Sequence, residues 1–399
     1  MTPSDSLRPQ MDRVQKSALF IGVLALVVSA IGLFTDRAHF WQSYLFAYIF
    51  WSGLTLGCLG IFFLHNVVGG NWGVAIRRLV EAGLKNLWIT AVFAVPLFFA
   101  LTTLYKWTDA SYRAEHFAVG HKAAYLNPTF FIARTVLYFA IWLFSGLQIL
   151  KMANEHDRTG DPALFLKIKR RSAPALLVFV LTTTYAFIDW IMSLEPDWYS
   201  TIYAWMFTVG EVLLTFSFLV AVLVLLSKRE PFAGFLTRQH YHDIGNLMLA
   251  FTMLWAYMSF AQFLIIWAEN LPDEIPWYVR RFSGGWGYIA WSISIFHFFV
   301  PFFLLLLRMI KTRPYRLRRL AIWIIIVRML DVFWVVEPAF RQRGLEVYWT
   351  DLVALIGLGG IWLAVFISNL KSRPLLASHD PRDTYSLVAT AAHGHGHGH

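Results

Sequence analysis

Ten long apolar runs constrain the fold of this chain more than any other feature. A bilayer core needs about 20 apolar residues per helical span, and each run approaches or exceeds that length. Helices satisfy their own backbone groups in lipid, and runs this continuous are unlike barrel strands. We therefore expect an all-α integral membrane protein with about ten transmembrane helices. The predicted spans are 17–34, 41–64, 84–105, 129–150, 173–193, 200–226, 244–268, 283–307, 318–337 and 350–370.

Composition supports the same class, because 58% of the residues are hydrophobic and only 15% are charged, unlike a soluble domain. We expect a cytoplasmic N-terminal tail at residues 1–16, a membrane domain at residues 17–370 and a cytoplasmic C-terminal tail at residues 371–399. The C-terminal tail ends in a His–Gly alternation from His393 to His399. That alternation either binds a metal ion or is a low-complexity run without a role. We predict no other metal site.

The basic residues predict the orientation of the chain in the membrane. Most of the 34 lysines and arginines fall in loops that an internal N-terminus would place in the cytoplasm, as the positive-inside rule requires. Both termini are therefore predicted to be cytoplasmic. The net charge of +10 reflects this topology and contact with anionic membrane lipids. Because the charge is spread over separate loops, we expect no nucleic-acid partner.

An Asp-x5-Glu-Pro element occurs twice, and both copies end a predicted span. Asp189 and Glu195 form the first copy, and Asp331 and Glu337 form the second. A carboxylate inside an apolar segment is energetically costly and usually serves chemistry or charge movement. The repeated spacing therefore predicts proton handling.

Aligning the two copies places the fifth and ninth predicted helices in register. This alignment predicts two four-helix bundles related by a parallel repeat, with helices one and ten at the periphery. The bundles would comprise helices two to five, at about residues 41–193, and helices six to nine, at about residues 200–337.

Three ionisable residues lie deep in the second predicted bundle. Arg328 and Asp331 are three residues apart, so they share a helix face and can pair. The pair either locks the bundle or holds Asp331 ionised until a proton arrives. Glu211 lies near the middle of helix six without a cation on its own helix. It either loads and releases a proton near neutrality or is a permanently protonated structural residue.

The first bundle offers a second group of candidates around Asp189. Tyr185 and Thr182 precede Asp189 by four and seven residues, which places all three on one helix face. They form either a short proton wire or a structural acid satisfied by Tyr185. Glu195 and Asp197 follow at the outer surface, where a solvated acid at a helix end is the default interpretation.

Two histidines extend the predicted route. His297 is central in helix eight, with Ser294 one turn before it and a proline four residues after it. This arrangement favours either an ordered water and a proton relay or simple packing. At the inner side, His65 and Glu81 are candidates for a cytoplasmic proton entrance. Glu81 and Lys85 are spaced as a structural i,i+4 pair.

The cofactor repertoire of the chain is narrow. Cys58 is the only cysteine, so the chain cannot bind an iron–sulfur cluster or a thioether-linked haem through its own cysteines. A haem between helices needs two axial histidines at matching depth, and only His297 lies well inside a helix. We therefore predict no redox centre and no catalytic residue in this chain.

The chain resembles a known family of membrane subunits. The stretch from Asp189 to Thr201, the ten-helix layout and the helix end at His65-Asn66 resemble the polysulfide reductase membrane-subunit (NrfD-like) family. The resemblance covers residues 17–370 and implies two four-helix bundles with two peripheral helices. The family's usual quinol site lies at the outer side of the first bundle. Its ligands do not match this chain residue by residue, so quinone-binding residues stay unassigned.

The resemblance also implies partners and a location. Such subunits belong to quinol:electron-acceptor oxidoreductases of the bacterial cytoplasmic membrane, such as alternative complex III. Electrons would be carried by haem c and iron–sulfur clusters in other subunits. The implied partners are a sister NrfD-like membrane subunit, an iron–sulfur subunit, c-type cytochrome subunits and membrane lipids.

The leading hypothesis is a membrane subunit that conducts protons while neighbouring subunits oxidise quinol. The predicted route runs from His65 and Glu81 through His297, Glu211 and the Arg328–Asp331 pair. It leaves by Asp189, assisted by Tyr185, and Glu195, or by Glu337. Two alternatives remain. One is a structural anchor for extrinsic redox subunits, and the other is a secondary transporter, for which broken helices at corresponding positions of the two halves would be the sign.

Overall fold

The computed structural model describes residues 7–376 and 380–382, and these residues form helices and short connections without a strand. Nine helices in this described part are long and apolar enough to cross a membrane. The expectation of an all-α, multi-pass membrane protein is confirmed. The longer helices are α1 Arg8–Thr35, α2 Arg37–Val68, α3 Asn71–Leu84, α4 Leu87–Phe98, α8 Pro128–Thr159, α9 Pro162–Trp190, α10 Tyr203–Leu226, α11 Arg238–Glu269, α16 Pro314–Val336 and α17 Trp349–Lys371.

Short helices fill the connections and the eighth predicted span. That span consists of α13, a π-helical segment and α14 in succession. The short helices are α5 Leu101–Leu104, α6 Ala110–Glu115, α7 Phe117–His121, α12 Ile275–Phe282, α13 Trp286–Ile293, the π-helix Ser294–Phe299, α14 Val300–Leu306 and α15 Arg308–Lys311.

The ninth predicted span corresponds to α16, which is not among the nine helices of the described part that are long and apolar enough to cross a membrane. Its 23 residues suffice to cross a bilayer at about 1.5 Å per residue. Both Arg328 and Asp331 lie in its apolar stretch and are buried. This helix therefore brings an ion pair into the interior of the bundle.

Two helices begin earlier than the predicted spans, because charged residues precede the apolar part of each helix. The predicted tail at residues 1–16 is helical from Arg8 onward, and a proline occupies the first turn of α1, where it is well tolerated. The predicted third span begins at residue 84, but α3 already begins at Asn71. The charges of α3 include Arg77 and Glu81, which pair with each other at 3.0 Å and so are compatible with burial.

The long helices form two packed groups. In one group α2 packs on α3, α4 and α9, and α8 packs on α4 and α9. In the other group α10 packs on α11 and α16, while α13 packs on α16 and α14 on α11. The groups meet where α2 contacts α10, and α17 joins α1 to α2. The apolar window of α2 is 94% buried, so α2 lies at the centre of the protein.

Close contact between α2 and α10 depends on small residues. A Cβ atom added at Gly53 would lie 2.2 Å from Cδ of Glu211, and one added at Gly57 would lie 2.0 Å from Oγ1 of Thr215. These two glycines thus allow the close contact between α2 and α10. Their absent side chains leave the space that the Glu211 carboxylate occupies.

Candidate functional site

The centre of the protein holds one arginine between two carboxylates, which we call the central triad: Glu211, Arg328 and Asp331. Nη2 of Arg328 donates to Oε1 of Glu211 at 3.1 Å, and Nη1 donates to Oδ2 of Asp331. Nη2 also donates to the carbonyl oxygen of Phe207 at 3.2 Å. No member of the triad is more than 3% exposed. The predicted pairing of Arg328 with Asp331 is confirmed.

The partner of Glu211 was missed from the sequence, because it lies on another helix. Glu211 belongs to α10 and Arg328 to α16, so their spacing along the chain carries no signal. The guanidinium fits against α10 at Gly210, where an added Cβ would lie 2.4 Å from Cζ of Arg328. The only local signal was Gly210, directly before Glu211, which leaves room for a large side chain from another helix.

The formal charges of the central triad do not cancel. Two ionised carboxylates against one guanidinium leave one negative charge in a buried site, and an unbalanced buried charge is costly. Oε2 of Glu211 has no hydrogen-bond partner within the described part of the chain. One proton on that oxygen would neutralise the site.

Asp189 is paired with arginine and not with the predicted proton wire. Nε and Nη2 of Arg134 donate to its two oxygens at 2.9 and 2.8 Å, and the Tyr138 hydroxyl donates at 2.8 Å. Asp189 is fully buried, whereas Tyr185 is 51% exposed. The predicted role of Tyr185 was wrong. Its long side chain lies on the outer surface of α9, and Thr182 instead accepts a hydrogen bond from Trp142.

Glu195 is also buried and paired, so the interpretation as a solvated acid was wrong. It is 6% exposed, and Nη2 of Arg281 donates to its Oε2 at 2.7 Å while Arg280 binds its Oε1. Both arginines belong to α12, a short helix from the other helix group. Arg281 additionally donates to the carbonyl oxygen of Val335 at 2.7 Å. Through Arg281, the first copy of the Asp-x5-Glu-Pro element is thus connected to the C-terminal end of α16.

Glu337, the matching acid of the second motif copy, is also paired with an arginine. It is fully buried, and Nη2 of Arg341 lies 3.0 Å from its Oε2. The same guanidinium binds Asp351 of α17 at 2.7 and 2.9 Å, and Ser43 of α2 donates to Asp351 at 2.6 Å. All four acids of the repeated motif therefore have an arginine partner, and no solvated acid remains among them.

His297 lies in the π-helix and is completely buried. The Trp255 ring meets it edge-on, with ring centroids 4.2 Å apart. Within the described residues neither ring nitrogen has a hydrogen-bond partner, and Ser294 donates to the carbonyl oxygen of Ala290 instead. A buried imidazole normally has a partner. The site is thus compatible with the predicted water relay, although Ser294 does not supply the contact.

A second cluster lies at the end of the bundle where α1 begins and α17 ends, which we call the terminal face. Glu81 accepts from Arg77 at 3.0 Å and from Arg78 at 2.6 Å, and both arginines reach Asp157 at 2.9 Å. Lys85 is not among these close partners, so the predicted Glu81–Lys85 pair was wrong. Arginines one turn earlier in α3 take its place.

The described end of the C-terminal tail closes over this cluster. Asp380 accepts from Arg77 at 2.9 Å and from Arg382 at 2.7 Å. Arg382 also donates to the carbonyl oxygen of His65 and to the side chain of Asn66, both at 3.3 Å. His65 itself donates from Nε2 to the carbonyl oxygen of Gly70 at 3.0 Å, given the Nε2–H tautomer. No sequence pattern predicted this docking.

The charges around Asp380 lower the pKa of its carboxyl group. Burial alone would raise the pKa of its carboxyl group, but hydrogen bonds and charges from Arg382 and Arg77 hold the pKa well below its usual range. Asp380 therefore stays ionised at neutral pH and binds the tail to α3.

The residues predicted for a proton route fall into separate clusters. Glu211, Arg328 and Asp331 share one site, and His65 and Glu81 border the terminal face on α2 and α3. Asp189, Glu195 and Glu337 each have their own arginine, His297 packs on Trp255, and Tyr185 lies outside. Among the described residues no group of three or more His, Cys, Asp and Glu side chains is arranged to hold a metal ion. The His393–His399 alternation lies outside the described residues.

Comparison with known proteins adds no family assignment. No protein-family model matches the chain, and no curated protein matches it either.

Proposed function

We propose that this chain is a proton-conducting membrane subunit of a quinol:electron-acceptor oxidoreductase, without a redox centre of its own. The observation that carries the proposal is the central triad, in which Glu211 and Asp331 share one guanidinium in a buried, apolar surrounding. The resemblance to the NrfD-like family, and within it to the second such subunit of alternative complex III, supplies the redox context.

The triad works as a single-proton station. When Glu211 binds a proton, Arg328 and Asp331 remain as a neutral pair. When that proton leaves, Glu211 and Asp331 again compete for one guanidinium. Small changes in the local electric field suffice to move the proton onto or off Glu211, because charges interact strongly in a low-dielectric interior. Quinol oxidation in a neighbouring subunit would supply that change.

The other buried groups would deliver and remove the proton. His65 and Glu81 lie at the terminal face, which we assign to the cytoplasm together with both termini. His297 adjoins α11 and would relay through water. Asp189 and Glu195 or Glu337 would form the opposite exits. Tyr185 has no part in this route.

The two copies of the repeated element support this proposal. Both copies of the Asp-x5-Glu-Pro element end their helix beside arginines, and each of the two helix groups contains one copy. We interpret the two groups as a parallel repeat with α1 and α17 at the periphery. The proposed setting is the bacterial cytoplasmic membrane, with a sister NrfD-like subunit, an iron–sulfur subunit and c-type cytochromes as partners.

The proposal is tested in the assembled complex reconstituted into vesicles. Asp331→Asn should lower the number of protons moved per electron, while quinol oxidation largely persists. Glu155→Gln is the matched control, because Glu155 is exposed and pairs only with the neighbouring Arg158 among its close contacts. Equal proton-to-electron ratios in wild type and Asp331→Asn would refute proton conduction through the triad.

A purely structural anchor is the second candidate, and one observation favours it. Arg134 and Asp189 form a two-point ion pair with an added tyrosine hydrogen bond, a geometry suited to locking helices. An anchor would keep its extrinsic partners but show no effect of Asp331→Asn on proton movement.

Copurification with iron–sulfur and multihaem proteins separates both candidates from an independent transporter. The helix interruptions do not favour a transporter, because the break between α3 and α4 has no counterpart in the continuous α11.

A further inference from the structure

A small cationic pocket lies between the end of α3 and the end of α17. Its lining includes Arg78, Glu81, Lys85, Asn369, Leu370 and Arg373. Apart from Glu81, none of these residues belongs to the proton route proposed above.

The pocket lies at the boundary of the membrane. Lys85 directly follows α3, and the apolar α4 begins two residues later at Leu87. Arg373 comes two residues after α17 ends at Lys371. Both apolar runs therefore stop at this level. Phosphate groups of lipids occupy this depth, just outside the hydrocarbon core.

Positive charge and unused donors dominate the lining. Three cations and one carboxylate line the pocket. Arg78 also binds Asp157, outside the lining, at 2.9 Å. Glu81 is already bound by Arg77 and Arg78 at 3.0 and 2.6 Å. Nη1 of Arg373 lies 3.8 Å from Oε2 of Glu81, beyond hydrogen-bond distance.

Two donor atoms in this pocket are buried without an acceptor among the described residues: Nη1 of Arg373 and Nε of Arg78. Arg78 is only 7% exposed. Nζ of Lys85 reaches a neutral acceptor, Oγ of Ser372, at 3.5 Å. Buried donors of this kind call for an anionic acceptor.

An apolar track leads away from the pocket along α4. Trp88, Val92, Val95 and Phe99 are 50%, 52%, 47% and 74% exposed. Their spacing of four, three and four residues places them on one helix face. The track begins three residues after Lys85, so an acyl chain can follow it while a headgroup stays at the cations.

We propose that this pocket binds the phosphate group of an anionic phospholipid, with an acyl chain along the exposed face of α4. Basic pockets between membrane helices are suited to such headgroups. Free inorganic phosphate shares the headgroup chemistry but would leave the apolar track unused. The site is independent of proton conduction.

The test uses the full-length chain, with any subunits it retains, in nanodiscs. Phosphatidylglycerol binding is measured by native mass spectrometry against a phosphatidylcholine background for wild type, Lys85→Gln and Arg373→Gln. Each substitution should weaken retention roughly fivefold, from the contribution of one basic residue near a membrane surface. Lys371→Gln is the matched control, because Lys371 pairs with Asp12 and does not line the pocket.

Selective loss of phosphatidylglycerol in the two pocket variants supports the site. Equal retention in all variants overturns it, and so does an equal loss in Lys371→Gln, which would indicate general surface charge. A third arm adds inorganic phosphate to phosphatidylcholine nanodiscs. Binding of inorganic phosphate without any preference for phosphatidylglycerol would overturn the lipid assignment.

Discussion

Arg328 links two helices electrostatically, because it neutralises a carboxylate from α10 and one from its own helix. Each of these acids would be poorly tolerated alone in an apolar interior. The guanidinium is 1% exposed, so solvent contributes little to screening. At the residue scale the stability of the membrane domain thus depends on whether such clusters remain complete.

Removing the guanidinium should be strongly destabilising. Arg328→Met leaves Glu211 and Asp331 without a cation, and breaking a buried ion pair costs about 3–5 kcal/mol. We expect a marked loss of folded protein and a lower unfolding temperature in detergent. The double variant Arg328→Met with Glu211→Gln should recover part of this loss. Arg158→Met, at an exposed ion pair, should change stability by less than about 1 kcal/mol.

Asp189 and Tyr185 provide a second residue-scale prediction. Asp189→Asn breaks the pairing with Arg134, so we expect a loss of about 3–5 kcal/mol. Tyr185→Phe removes an exposed hydroxyl and should stay within about 0.5 kcal/mol of wild type. Thermal unfolding of both variants in one detergent is the measurement. A comparable loss in Tyr185→Phe would instead support the interpretation of Asp189 as a structural acid satisfied by Tyr185.

The sequence identified acids at the residue scale but not their partners. Arg328 and Asp331 were paired correctly because three residues on one helix share a face. The pairs of Asp189 with Arg134 and of Glu211 with Arg328 join different helices. Interhelical pairs depend on rotation and packing, which a single sequence does not specify.

At the element scale, the first and last membrane helices meet through glycine. A Cβ atom at Gly360 of α17 would lie 2.5 Å from Cα of Gly22 in α1. That contact is backbone to backbone, so a shift of the whole helix would be required. The small-residue contact therefore fixes the distance between α1 and α17.

Gly360→Ala should separate α1 from α17. Overpacking of a tight contact costs about 1–3 kcal/mol, which thermal unfolding will report. Gly234→Ala is the control with the same chemical change, because nothing lies within 4 Å of an added Cβ there. A smaller effect at Gly360 than at Gly234 would contradict the packing account.

Helix boundaries were predictable where an apolar run coincides with the helix. The prediction failed where a helix contains charged residues that are neutralised by partners inside the fold. α10 begins three residues after its predicted start and ends at the predicted residue 226. α3 was hidden because its arginines and glutamate suggest a loop. Only their mutual pairing, and Asp157 and Asp380 from distant segments, makes that helix compatible with burial.

At the scale of the whole molecule, the described C-terminal residues connect distant parts of the chain. Asp380 and Arg382 join the ends of α2 and α3. The docked segment thereby covers the terminal face beside His65. The fold class followed from the apolar runs alone, whereas this docking followed from no sequence pattern, since it rests on two charged residues in a polar tail.

Docking of this segment should depend on pH. Arg382 and Arg77 hold the pKa of Asp380 below its usual value, which is near 4 in model peptides. The ionised Asp380 therefore contributes its full stabilisation of the folded protein above about pH 4. This stabilisation is lost as the pH falls below that value. The unfolding temperature of wild type should therefore exceed that of Asp380→Asn at about pH 6, and the difference should shrink as the pH falls below about 4. The exposed Asp273 gives the control variant, Asp273→Asn, for which no such trend is expected.

Infrared difference spectroscopy tests the central claim most directly, because it observes the carboxyl proton of Glu211 itself. The full-length protein is cycled between acidic and alkaline pH, and the protonated carboxyl stretch is compared between wild type and Glu211→Gln. Our account predicts a reversible carboxyl band in wild type that Glu211→Gln removes and Glu155→Gln retains. A pH-dependent carboxyl spectrum that is identical in wild type and Glu211→Gln would contradict it.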